Sequence, residues 1–174
     1  MKRKFSRLIL TAGGFALSAS LFVPVQAADE AQERAELAKA LTGAKVTLHS
    51  GLQTSASQGK PISAKFEVDD GKLQLSIYTV KEDRFSEVVI DPASGKVLKA
   101  ETITDKDDLV KATAQKAAMD MAKTTLPATV DKALKSNSGY RAVSVLPQMK
   151  TGHPVAVVTL RRAKAFKAVT ESLD

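Results

Sequence analysis

The chain has no cysteine and no tryptophan among its 174 residues, and only two histidines. Without cysteine there is no disulfide framework, no thiol nucleophile, no thiolate metal site and no lipid anchor, so the core is held by burial alone. The histidines carry no catalytic pattern: no His-Glu-x-x-His is present, and no Gly-x-Ser-x-Gly elbow. His49 falls in the first turn of a predicted helix and His153 between Gly152 and Pro154 in a predicted turn, and both read as solvated or capping side chains. Met119 and Met121 stand two apart on a predicted helix and so point to different faces, which argues against paired soft-metal ligation. Glu67, Asp69 and Asp70 lack the spacing and closing glutamate of a calcium loop. No catalytic residue, cofactor or metal ligand is expected, and the protein is expected not to be an enzyme.

Lys2, Arg3, Lys4 and Arg7 precede an apolar stretch from Leu8 to Val23, diluted by Gly13, Gly14 and Ser18 and closed by Pro24. With Val25-Gln26-Ala27 before the switch to charge, residues 1–27 read as a secretory signal peptide cleaved after Ala27. The apolar run is short of the ~20 residues that span a bilayer. No integral membrane segment is therefore expected after cleavage, and the location read from the signal is the periplasm or the secreted medium. Removing the four basic residues of the leader lowers the formal charge from +7 to +3, with 22 Lys and Arg against 19 Asp and Glu. That modest excess, with aromatics at 5%, gives no case for nucleic acid.

Two stretches read alike at a separation of roughly 80 residues. Thr47-Leu48 recurs as Thr125-Leu126, Leu52 as Val130 and Gly59 as Gly139, while Gly71, Phe85 and Val88 recur at one constant offset as Gly152, Phe166 and Val169. Each stretch opens with a helix. Thr47 caps Leu48, Leu52 and Ala56 on one face, and Thr125 caps Leu126, Val130 and Leu134. The period then changes to two. Ile62, Ala64, Phe66 and Val68 alternate with polar residues, Asp69-Asp70-Gly71 turns the chain, and Leu73, Leu75 and Ile77 return. Val88 and Ile90 lie in a third strand, and Asp91-Pro92-Ala93-Ser94-Gly95 leads to a fourth through Val97 and Leu98. Two further helices are predicted: one over 29–42 with Ala31, Ala35, Ala38 and Leu41 on its apolar face, and one over 105–123 with Val110, Ala114, Ala117 and Met121 on its own. The expected fold class is α+β: two repeats, each a helix on a small antiparallel sheet, with flanking and linking helices.

The second stretch differs from the first where function is sought. At the constant offset, outward-facing Gln74 and Ser76 become Val155 and Val157, so its second strand is apolar on both faces. Packing against the first repeat or the linking helix explains this, and so does a partner surface. Arg161, Arg162, Lys164 and Lys167 form one local basic cluster at a hairpin turn. With Val155 and Val157 they are the candidate partner-binding residues, a solvated hairpin tip being the alternative. No equivalent of the fourth strand follows, which leaves a sheet edge open to a partner strand or a second subunit.

The run Val88-Val89-Ile90-Asp91-Pro92-Ala93-Ser94-Gly95-Lys96-Val97-Leu98, behind a Thr-Leu helix start and a Gly turn, resembles the PepSY domain, over Thr47 to Ile103 and again from Thr125. The resemblance implies a helix-on-antiparallel-sheet unit of peptidase propeptides and exported bacterial proteins, without catalytic residues. The expected organisation is a signal peptide at 1–27, a helical extension at 28–46, a PepSY-like repeat at 47–104, a linking helix at 105–124 and a second repeat at 125–174 lacking its last strand. The expected role is a non-enzymatic exported binding module that inhibits or regulates a peptidase or another envelope protein through a protein or peptide contact. The alternative is a structural or sensory envelope protein that takes a small ligand, a metal or an anionic polymer.

Overall fold

Two threonines set the frame. In a computed structural model, which describes residues 25–174, Thr47 caps helix α2 (Leu48–Ser55) through a reciprocal pair of bonds with Ser50, and Thr125 caps α4 (Leu126–Lys135) by accepting from the Ala128 amide. Each hydroxyl satisfies a first-turn donor that has no partner within its helix. Pro127 fits the first turn of α4, where no amide is needed. The remaining elements are α1 (Val25–Ala40) with a 3-10 turn at Leu41–Gly43, β1 (Lys60–Asp69), β2 (Lys72–Lys81), β3 (Arg84–Ile90), β4 (Val97–Thr102), α3 (Lys106–Met121), β5 (Arg141–Lys150), β6 (His153–Arg162) and β7 (Ala165–Ser172). The signal-peptide reading falls, except for its last residues, outside the described part of the chain. None of the described helices is long and apolar enough to cross a membrane.

Among the described residues the strands form one antiparallel sheet of seven, in the order β4-β3-β2-β1-β5-β6-β7. The two small sheets expected from the sequence are joined, because β1 pairs with β5 at Ala64–Val145 and Lys65–Ser144. From that central pair β2, β3 and β4 extend one way and β6 and β7 the other. Alternation holds along the strands. Ala64, Phe66, Leu75, Ile77, Val88, Ile90, Val145, Ala156, Val158 and Leu160 share one face and are buried beneath α2 and α4. The segments that enter those two helices are tied down alike. The Lys45 and Val46 amides donate to Pro92 O, and the Lys123 and Thr124 amides to Leu173 O.

Three helix-face expectations are corrected. On α3 the anticipated apolar residues are the exposed ones, with Val110 70% and Met121 55% exposed and Ala114 and Ala117 also outside. The buried side is Asp108, Ala112, Ala118 and Met119. A helix this rich in alanine has a weak apolar stripe, and the sheet's second face, which carries the buried Tyr78, decides which side packs. On α1, Ala31 and Ala35 are exposed, while Ala38 and Leu41 are buried. On α2 the helix stops at Ser55, so Ala56 lies outside the core and Ser55 inside it.

Candidate functional site

The β6–β7 turn and the β1–β2 turn lie at the same end of the sheet, because β1 and β5 run antiparallel and β6 returns along β5. Helix α1 lies at this end. Two arginines connect α1 and the link that follows it to the strands, Arg161 near the end of β6 and Arg141 at the start of β5, cross-strand neighbours in the β5–β6 register. The Arg161 guanidinium donates to Ala38 O at 2.6 Å, a last-turn carbonyl of α1 with no partner inside the helix. Arg141 donates to Ala44 O at 2.8 Å and to Val46 O, and its guanidinium stands over the Phe66 ring at 5.7 Å. Burial, and then the Arg161 charge beside it, lower the Arg141 pKa. The Nε of both arginines is buried without a hydrogen-bond partner among the described residues. Two cations placed side by side and bound to backbone carbonyls rather than carboxylates leave uncompensated positive charge at this end.

Between α1 and the β6–β7 hairpin runs a groove of about 960 Å³. Its floor is Ala31, Ala35, Ala38 and Phe166, and its charged residues are Arg34, Lys39, Arg161 and Lys164 against the single carboxylate of Glu30, which already pairs with Arg34 at 3.6 Å. An apolar floor beneath a cationic rim suits an extended segment carrying both apolar and acidic groups.

The six candidate residues do not form one surface. Arg161 and Lys164 line the groove. Arg162, the next residue along the strand, points the other way and stands 4.9 Å from the Tyr140 ring, where Lys167 also sits at 4.5 Å while bonding Asn137 Oδ1. Strand alternation divides neighbouring arginines between two faces, so two of the four cations hold Tyr140 in place instead of forming a free hairpin tip. Val155 and Val157 are half-buried on the sheet's second face, the one across which α3 runs. Sequence reasoning missed the α1 side of the groove, Arg34 and Lys39, because nothing local to α1 says which hairpin it meets.

The histidines have partners: His49 Nδ1 lies 2.8 Å from Asp131 Oδ1, linking α2 to α4, and His153 Nδ1 lies 3.3 Å from Asp174. Met119 is buried and Met121 exposed, on different faces of α3. Among the described residues no cluster of three or more histidine or carboxylate groups is arranged to hold a metal.

A polar cluster on the second face was also not legible. Glu67 accepts from Lys65 at 2.6 Å, from Ser76 at 2.5 Å and from Gln74 at 3.1 Å. Burial alone would raise its pKa, but the Lys65 charge and these bonds outweigh it and hold the carboxylate below its ordinary value. Glu87 is pushed the other way, by burial first and then by Glu67, and its Oε1 has no hydrogen-bond partner among the described residues. A carboxyl whose pKa is higher in the folded than in the unfolded state takes up a proton on folding, so it destabilises the fold as pH rises through the folded value. Glu87→Gln should accordingly raise stability by about 1 kcal/mol at pH 8, the scale of an unsatisfied buried polar group, and change little at about pH 3, where the carboxyl is protonated in both states. Urea denaturation at the two pH values checks this. Equal effects at both would refute it.

The architecture is that of an α+β protein of the helix-on-antiparallel-sheet class, with an open charged groove at one end of its sheet. Residues 26–101 match the family described as Peptidase propeptide and YPEB domain, PepSY. The matched span takes in α1 and ends in β4. A crystal structure of a protein assigned as a lipoprotein from Clostridium difficile 630 is similar at 14% identity and a TM-score of 0.39, over 71% of this chain and 81% of that one. No curated protein matches the sequence.

Proposed function

We propose that this protein is an exported, non-catalytic module that binds a peptide segment of another envelope protein, a peptidase being the target the family description suggests, and regulates it by occupancy rather than turnover. The observation that carries this reading is the groove between α1 and the β6–β7 hairpin, where four basic side chains surround an apolar floor and one paired carboxylate stands against them. An acidic segment with apolar side chains complements both features. The leader-like sequence of residues 1–27 supports export to the periplasm or beyond. On this reading the chain carries two PepSY-like units, 47–104 and 125–174, joined by 105–124. The matching threonine caps and the matching amide ties of Lys45–Val46 and Lys123–Thr124 support that division.

The test is a titration of the purified protein with fluorescein-labelled peptides of alternating Glu and Leu, followed by anisotropy, with a Lys-Leu peptide as control. Saturable one-to-one binding of the acidic peptide is expected, without cleavage, weakened about tenfold by Arg34→Glu/Lys164→Glu, both changes lying at exposed positions. Equal binding of both peptides, or none of the acidic one, would sink the assignment of the groove. Competition by polyglutamate equal to that by the peptide would favour an anionic polymer as ligand instead.

A further inference from the structure

We propose that β7 is a self-pairing edge and that two copies of this chain join through it into one continuous sheet of fourteen strands, independently of what the groove binds. Among the described residues, strand β7 ends the sheet. It is eight residues long, without proline or glycine, and its register with β6 is unbroken from Ala165 to Ser172. Such an edge is an open template for another strand. The opposite edge, β4, has six residues and a register shift against β3, two features that blunt pairing.

The orientation of the free groups follows from one bond. The Leu173 amide donates back to Pro154 O, so the odd-numbered residues of β7 turn their backbone groups toward β6. Phe166, Ala168, Thr170 and Ser172 turn theirs outward. An antiparallel pair of two β7 strands must match outward groups with outward groups, and a two-fold axis through Val169 does so: Ala168 exchanges bonds with the second copy's Thr170, and Thr170 with its Ala168. In that register Val169 meets its own counterpart, and Lys167 stands opposite the second copy's Glu171 twice over. Those pairs fall at the non-hydrogen-bonded positions, where side chains approach closest. Lys167, Val169 and Glu171 already share the α4 side of the sheet, with Glu171 3.0 Å from Lys132, so each carboxylate would lie between two ammonium groups. The contact is isologous and closes at two copies instead of growing into a fibre.

The experiment is sedimentation equilibrium of the exported protein over about 1–100 μM, the range for a small interface, with three variants. The wild type should show a monomer–dimer equilibrium. Ala168→Pro, at an exposed position whose amide faces away from β6, should be monomeric with an unchanged circular dichroism spectrum. Lys167→Glu alone and Glu171→Lys alone should each be monomeric, since each places like charges opposite one another. Mixing those two variants should restore a dimer, because every facing pair is then of opposite sign; folding damage could not be repaired by mixing. A wild type that stays monomeric throughout overturns the proposal. So does a dimer that survives Ala168→Pro, or a mixture that fails to associate.

Discussion

Gly51→Val is expected to cost about 3 kcal/mol, at the upper end of core overpacking, although valine is the better helix former at an interior helical position. A Cβ at Gly51 would lie 2.2 Å from Leu75 Cδ2, with Ile77 Cδ1 at 3.5 Å. Leu75 and Ile77 are themselves fully buried, so neither can swing aside without displacing other core groups. The glycine lets α2 approach β2 closely enough to close the core between them. Leu75→Ala alone should cost about 2–5 kcal/mol through the cavity it leaves. Combined with Gly51→Val it should cost much less than the sum, because the added side chain fills part of that space. A coupling of about 2 kcal/mol between the two sites, measured by urea denaturation of the four proteins, is the expected result. Additive effects would show that α2 shifts as a body and that the close approach is not the constraint.

The second large effect is local. Arg141→Ala should destabilise the protein by about 2 kcal/mol, since bonds from a charged donor are worth about 1.5–3 kcal/mol each and the relief of Arg141–Arg161 repulsion returns only part of the two that are lost. The Ala44 and Val46 carbonyls would be left without their donor, and the link from α1 to α2 would open first. Hydrogen exchange should accordingly speed up over residues 36–46 while β1, β2 and β5 stay protected. Arg141→Lys should recover only part of the loss, since one ammonium cannot reproduce the planar fork that reaches both carbonyls. Uniform exchange across the sheet would mean that Arg141 supports the core as a whole and not the strap.

Local chemistry was legible. Thr47 and Thr125 cap as their positions demand, and the turn read at Asp91 to Gly95 is closed by Asp91 accepting from Ala93 and Ser94. The Ser94 hydroxyl and amide, with that turn, hold the Asp91 carboxyl below its ordinary pKa. The inward sets of β1 and β2 also followed from alternation, because one pleated face must be dry. The orientation of α3 did not follow. Its apolar content is spread around the helix, and which side is buried is set by strands far from it in the chain. The candidate site was half legible for the same reason: Arg161 and Lys164 were singled out from their own hairpin, but the face that completes the groove comes from α1, over a hundred residues earlier.

The caps at Thr47 and Thr125, the hairpin turns, the strand faces and the α+β class were readable from the chain alone, since each of these is set by residues within a few positions of one another. Only the folded chain settles that β1 meets β5 to make one sheet, that Arg161 and Arg141 tie α1 and the link after it to that sheet, and that β7 is its edge among the described residues. Those are pairings between segments far apart in the chain. Their free energy comes from shared burial and hydrogen bonds that exist only once both partners have been brought together, and no local pattern records that.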